Sequence, residues 1–223
     1  GIKGINQIKK AMANIKKIKP LILSRPEKQI YDKEEINQLL EKTDGIGESS
    51  ISDWNYSELK KIADHVNKKR KKFGLHASEG KREDIDKILD LKPDFLVHMN
   101  KAKKTDLELL KQENIPLVVC PRSNNFFNIK TRYKLLKETD LNLVIGTDNC
   151  MINYPSIINE IKYIKKQTNV YSLEELLKMV TYNPRKVLNH NWSITPPPLF
   201  QSFVVLDKKN LNILYIFRKK TIG

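Results

Sequence analysis

Three short segments constrain the fold of this 223-residue chain more than any other feature: LHASEG (75–80), LVHMN (96–100) and VIGTDN (144–149). Each begins as a short apolar run, the pattern of a strand buried on both faces. Each closes on a polar residue that can bind a metal: His76, His98 and Asp148. Charged stretches of helical period separate them. Strands of this kind, alternating with helices, predict a parallel sheet built by right-handed crossovers. In a parallel barrel the C-terminal strand ends converge on one mouth, where chemistry sits.

The rest of the chain extends the same period. Apolar residues at 5, 8, 12, 15 and 18 predict a helix over Ile2–Ile18. PLILS (20–24) and DGIGES (44–49) read as strands, with a helix capped by Asp32 and Glu35 between them. Asn55 or Ser57 opens a long helix that ends in the basic run KKRKK (68–72). FGLHAS (73–78), DFLVHM (94–99), IPLVVCP (115–121) and LNLVIGT (141–147) complete six strands. Helices are expected at 82–90, at 105–113 behind a Thr105/Glu108 capping box, at 129–139, at 155–168, and from Ser172 behind a box with Glu175. PPP (196–198) fits neither a helix nor a central strand, and FQSFVVLD and LNILYIFR beyond it read as a hairpin. The division expected is therefore 1–192, an incomplete (β/α) TIM-like barrel of about six strand–helix units, and 193–223, the strands of a small β-sandwich. A full barrel has eight units, so two are expected to precede Gly1. The open edge beside PLILS would be covered by the first helix, by a second copy of the chain, or not at all, and a chain without such cover should aggregate or dimerise.

The net charge of +15 raises the question of nucleic acid. The lysines, however, are spread over every predicted helix among Glu and Asp, so a solvated surface is the reading adopted. No apolar run reaches the length of a membrane span. Two cysteines, Cys120 and Cys150, suggest no disulfide framework and a reducing, cytoplasmic setting.

His76 and Glu79 form H-x-x-E, one neutral imidazole and one carboxyl for proton transfer. Alone this is a weak pattern, as common in a surface His and a capping Glu. His98 on the next strand strengthens it, and Asp148 can bind a metal or take a proton from water. In CPRSNN (120–125), Ser123 and Asn124 can meet substrate edges and Arg122 an anion, unless the segment is a simple turn. His65 and His190 read as structural.

In order along the chain, DGIGES, LHASEG, LVHMN, VVCPRSN, VIGTDN and TYNPRKVLN resemble the amidohydrolase superfamily, in its deaminase and chlorohydrolase-like branch. The resemblance implies a metal-dependent hydrolase of a non-peptide C–N bond, with a small-molecule, purine-like amine as substrate. It assigns His76 and Asp148 to the metal, zinc or iron. It makes Glu79 the proton shuttle and Asp148 the base, and it places His98 against the water or substrate, stabilising the developing oxyanion. The family's first strand carries H-x-H, two further ligands, and no H-x-H occurs in this sequence. A metal held by what remains should be held weakly. The alternative is a non-catalytic binding or scaffold protein that kept the fold.

Overall fold

The computed structural model describes residues 1–13, 15, 20–188 and 202–218. Six parallel strands form one sheet in sequence order: β1 (Leu23–Ser24), β2 (Gly45–Glu48), β3 (Lys72–Ala77), β4 (Phe95–His98), β5 (Leu117–Val119) and β6 (Leu143–Ile145). Helices α2 (Lys33–Lys42), α3 (Tyr56–Lys68), α4 (Ile85–Asp90) and α5 (Lys104–Gln112) make the successive crossovers. Between β5 and β6 lie two helices, α6 (Pro121–Phe126) and α7 (Tyr133–Thr139). The arrangement is a partial TIM-like barrel, as the strand–helix period implies. The strands are shorter than their apolar runs, and PLILS pairs only through Leu23 and Ser24.

Alternation along the strands separates two faces. Gly47, Gly74 and Phe95 share one level of the sheet, and His76 and Val97 the next. All five line an inner cavity of about 250 Å³. The opposite parity, Ile46, Phe73, Leu75, Ala77 and Leu96, is fully buried. It packs in one core with Ile36 and Leu39 of α2 and with Leu59, Ile62, Ala63 and Val66 of α3. These helical positions recur at the three- and four-residue spacing that makes one apolar stripe. Each fully buried aliphatic side chain contributes about 1.5–3 kcal/mol relative to exposure.

The first helix, α1 (Ile2–Met12), is shorter than its apolar period; positions 14 and 16–19 lie outside the described residues. It buries Ile5 against the core and packs on α2, and the Gly1 ammonium donates to the Arg25 carbonyl at 2.9 Å. After β6 come α8 (Ile157–Gln167), α9 (Leu173–Thr181) and α10 (Pro184–Leu188). Ser172 and Glu175 cap α9 reciprocally, at 3.2 and 2.9 Å. The PPP segment and His190 lie outside the described residues. Beyond them β7 (Ser202–Leu206) and β8 (Ile213–Arg218) pair antiparallel as the expected hairpin. Its turn rests on the main body through buried Leu211 and a 2.9 Å bond from Lys162 Nζ to Asn212 Oδ1.

Two local expectations change. The alternative reading of CPRSNN as a simple turn gives way to a helix: Pro121 starts α6, a position where a missing N–H costs nothing. The Thr105/Glu108 box does not form. Asp106 caps instead, its Oδ2 accepting from Lys103 N at 2.7 Å, because the same carboxylate holds Arg82 through two bonds of 2.8 and 2.7 Å. Burial alone would raise the Asp106 carboxyl; Arg82 and the Lys103 amide outweigh it and hold the group below its ordinary value. A carboxyl lowered in the folded state stabilises above its unfolded pKa and loses that contribution as pH falls through the folded one. Asp106→Ala is therefore expected to cost about 2–3 kcal/mol at neutral pH. The difference from wild type should shrink steadily below about pH 4, read from urea midpoints at a series of pH values.

Candidate active site

Three strand ends build the site. His76 lies on β3 with the cavity-facing parity and is half buried. His98 has the opposite parity, level with Ala77, so regular alternation would turn it toward the helices. The backbone prevents this. His98 and Met99 both take left-handed conformations, with φ of 77° and 49°, and the chain swings the imidazole back over β3. The His76 and His98 rings meet edge to face, centroids 5.0 Å apart. Glu79 follows Ser78, itself left-handed at φ 46°, and its Oε1 lies 3.7 Å from His98 Nε2. The ligand atoms of His76, Glu79 and His98 all lie within 4.8 Å of one another.

Asp148, left-handed at φ 57° past the end of β6, belongs to the same mouth but stands outside that group, on its exposed side. Ser123 Oγ donates to its Oδ2 at 2.5 Å. Its charge is felt by His76, Glu79 and His98 alike. Left-handed backbone at non-glycine residues costs on the order of 1 kcal/mol each, and here it falls repeatedly where side chains must be re-aimed.

Burial sets the protonation of the cluster. It pushes the His76 imidazole down, with the neighbouring His98 adding to the effect and Asp148 and Glu79 opposing it. Burial likewise lowers His98, against Asp148 and the Asn124 bond, and it raises the Glu79 carboxyl, which His76 opposes and Asp148 and Asp53 raise further. Two neutral imidazoles and a carboxyl ready to carry a proton suit a divalent cation and proton transfer.

The segment after β5 serves the site from behind. Ser123 and Asn124 are fully buried. Ser123 holds Asp148 and Asn124 reaches His98, so both bond to site residues where substrate contacts were expected. Arg122 folds back: its amide donates to Glu160 Oε2 at 3.0 Å and its guanidinium to the Tyr154 carbonyl at 3.1 Å. It pins the 149–156 loop, with Glu160 fully buried beneath it. His65 is structural, bonded to Tyr31 and Asn37 at 3.2 and 3.1 Å. Cys120 is buried, and Cys150 is exposed.

Sequence reading passed over Asn100, Thr131 and Glu48. Glu48 ends β2 fully buried, beside a second cavity of about 620 Å³ that Arg25, Ser49 and Trp54 also line. Its Oε1 has no hydrogen-bond partner among the described residues. Burial pushes the carboxyl up to about 8, against the lowering effect of Arg25 and the Gly1 ammonium. The polar residue that ends GIGE, closing β2 as His98 closes β4, was the available signal.

The site is thus a His–Glu–His group and an aspartate at the C-terminal strand ends of a parallel (β/α) array. The model of the amidohydrolase family matches residues 5–192, and the chain belongs to that family. An uncharacterised protein of Methanocaldococcus jannaschii is 37% identical over 210 residues, 84% of this chain and 53% of that protein. The chain thus spans about half the length of that relative. Among solved structures, aminofutalosine deaminase of Helicobacter pylori superposes with TM-score 0.58 at 17% identity, covering 76% of this chain and 53% of that one. An adenosine deaminase of Xanthomonas campestris, with bound zinc, does so with TM-score 0.56 at 18% identity, covering 65% and 38%.

Glu48 gives a pH signature. A carboxyl whose folded pKa lies above its unfolded value binds more protons in the folded state between the two, so stability falls as pH rises through that window. Glu48→Gln is expected to match wild type near pH 4 and to exceed it by roughly 2–4 kcal/mol near pH 9. Thermal and urea unfolding at both pH values would check this.

Proposed function

We propose that this chain is part of a hydrolase of non-peptide C–N bonds, and specifically a deaminase of a heterocyclic, purine-like amine. The observation that carries the reading is the His76–Glu79–His98 group, with ligand atoms within 4.8 Å, at strand ends of an amidohydrolase-family chain. The likeness to deaminase structures supports the same direction.

The residues present fit a divalent metal such as zinc or iron. His76, with Glu79 and His98 or with Asp148 alongside, would hold it through neutral imidazole nitrogen and carboxylate oxygen. When bound, such an ion supplies Lewis acidity and makes water nucleophilic at neutral pH. The remaining steps fall to the chain. Asp148, oriented by Ser123, accepts the proton released as water adds to the amine-bearing carbon. Glu79, its carboxyl raised by burial, serves as the proton shuttle and delivers a proton to the departing nitrogen, which leaves as ammonia. Arg25 and the two cavities beside β1 and β2 offer room for the body of a small-molecule substrate.

The ligand set is thin without an H-x-H. The 223-residue chain is therefore expected to lose most of its zinc or iron on dialysis. It should release ammonia slowly from a panel of aminated heterocycles, faster under excess metal. Glu79→Gln should lower that release by at least about 100-fold. Metal content by mass spectrometry and an ammonia assay read both. No release at saturating metal would favour the non-catalytic alternative, and tight stoichiometric metal would refute the weak-site expectation.

A further inference from the structure

Behind the cluster, His98 is held by a closed set of buried amides. Its Nδ1 lies 3.2 Å from Asn124 Oδ1. Asn100 and Asn124 exchange two hydrogen bonds of 3.0 Å, and Asn124 Nδ2 also donates to Thr131 Oγ1 at 3.0 Å. Asn124 is fully buried, Asn100 and Thr131 nearly so. Both lone pairs and both N–H groups of the Asn124 amide are thereby used, which leaves nothing to exchange with solvent. On the other side of the ring, Nε2 looks toward Glu79 Oε1, 3.7 Å away.

Proton positions follow from this network. An amide oxygen facing Nδ1 requires the imidazole proton there and leaves a lone pair on Nε2. Histidines that offer an unprotonated nitrogen to a cation commonly pass their other N–H to a carbonyl or carboxylate, as Nδ1 does here to Asn124.

We propose that Asn124 is a positioning residue that fixes His98 as the Nδ1–H tautomer, so that His98 presents a lone pair, not an N–H, to the mouth. Its mechanistic consequence rests on the deaminase reading. An Nε2 lone pair can accept a hydrogen bond from the attacking water or ligate a cation. It cannot donate to a developing oxyanion, the role that family resemblance gave His98. Oxyanion stabilisation must then come from another group.

The test reads protons, not turnover. Uniformly 15N-labelled chain, stripped of metal with a chelator, is examined by long-range 1H–15N correlation of its histidine rings at about pH 8, above the ordinary imidazole range. His98 is expected to show a protonated Nδ1 and a bare Nε2. Asn124→Leu, close in size and without an acceptor, should move the proton toward Nε2. Asn124→Asp keeps an acceptor oxygen and should keep Nδ1–H. His65, tied to Tyr31 and Asn37, is the internal control for folding. Nε2–H in the wild-type chain, or an unchanged tautomer in folded Asn124→Leu, overturns the proposal. Should the Leu variant unfold, the wild-type spectrum and the Asp variant decide. Failure to find ammonia release would count against the functional reading and leave this measurement standing.

Discussion

The site depends on one register. Pairing of β3 with β4 sets His76 level with Val97 and Ala77 level with His98. Sheet geometry alone would then put the two imidazoles on opposite faces, one toward the cavity and one under the helices. They share a volume only because the chain breaks the strand conformation at His98 and Met99. That break is itself held by pairing just above it: Met99 N donates to the Ala77 carbonyl at 2.9 Å and Lys101 N to the Ser78 carbonyl at 2.8 Å. Backbone strain and site geometry are the same feature seen from two sides.

Much of this was legible in the sequence. Apolar runs marked five of the six strands, because a doubly covered parallel strand has no polar face to interrupt it, and the glycine-rich DGIGES marked the other. The polar residues that end those runs marked the mouth, because strand ends are where solvent returns. What escaped notice has a common physical cause. Asn124 and Ser123 read as substrate contacts because polar residues after a strand are usually exposed. Whether a polar side chain faces a ligand or a neighbouring imidazole depends on the path of the following helix, and α6 was not legible in CPRSNN beyond its proline. Asp106 was overlooked as a cap because its partner, Arg82, lies on a different crossover.

Glycine and phenylalanine close the floor of the same cavity. A Cβ on Gly74 would lie 2.5 Å from the Phe95 ring. At the paired level Gly47–Gly74–Phe95, Phe95 thus fills the space over Gly74 and Leu23 of β1 lies over Gly47, the alternation of large and small that packs a barrel interior. One level up, His76 and Val97 begin the polar mouth. The transition from packed floor to reactive rim takes a single step of the register.

Burial then decides what the rim can do. A carboxyl and two imidazoles withdrawn from water all shift toward their neutral forms. Neutral imidazoles coordinate or accept; a neutral carboxyl donates. Asp148 stands apart, exposed and hydrogen-bonded by Ser123. The two carboxyl groups of the mouth thus sit in different environments, which is what the proposed division of acid and base between Glu79 and Asp148 requires.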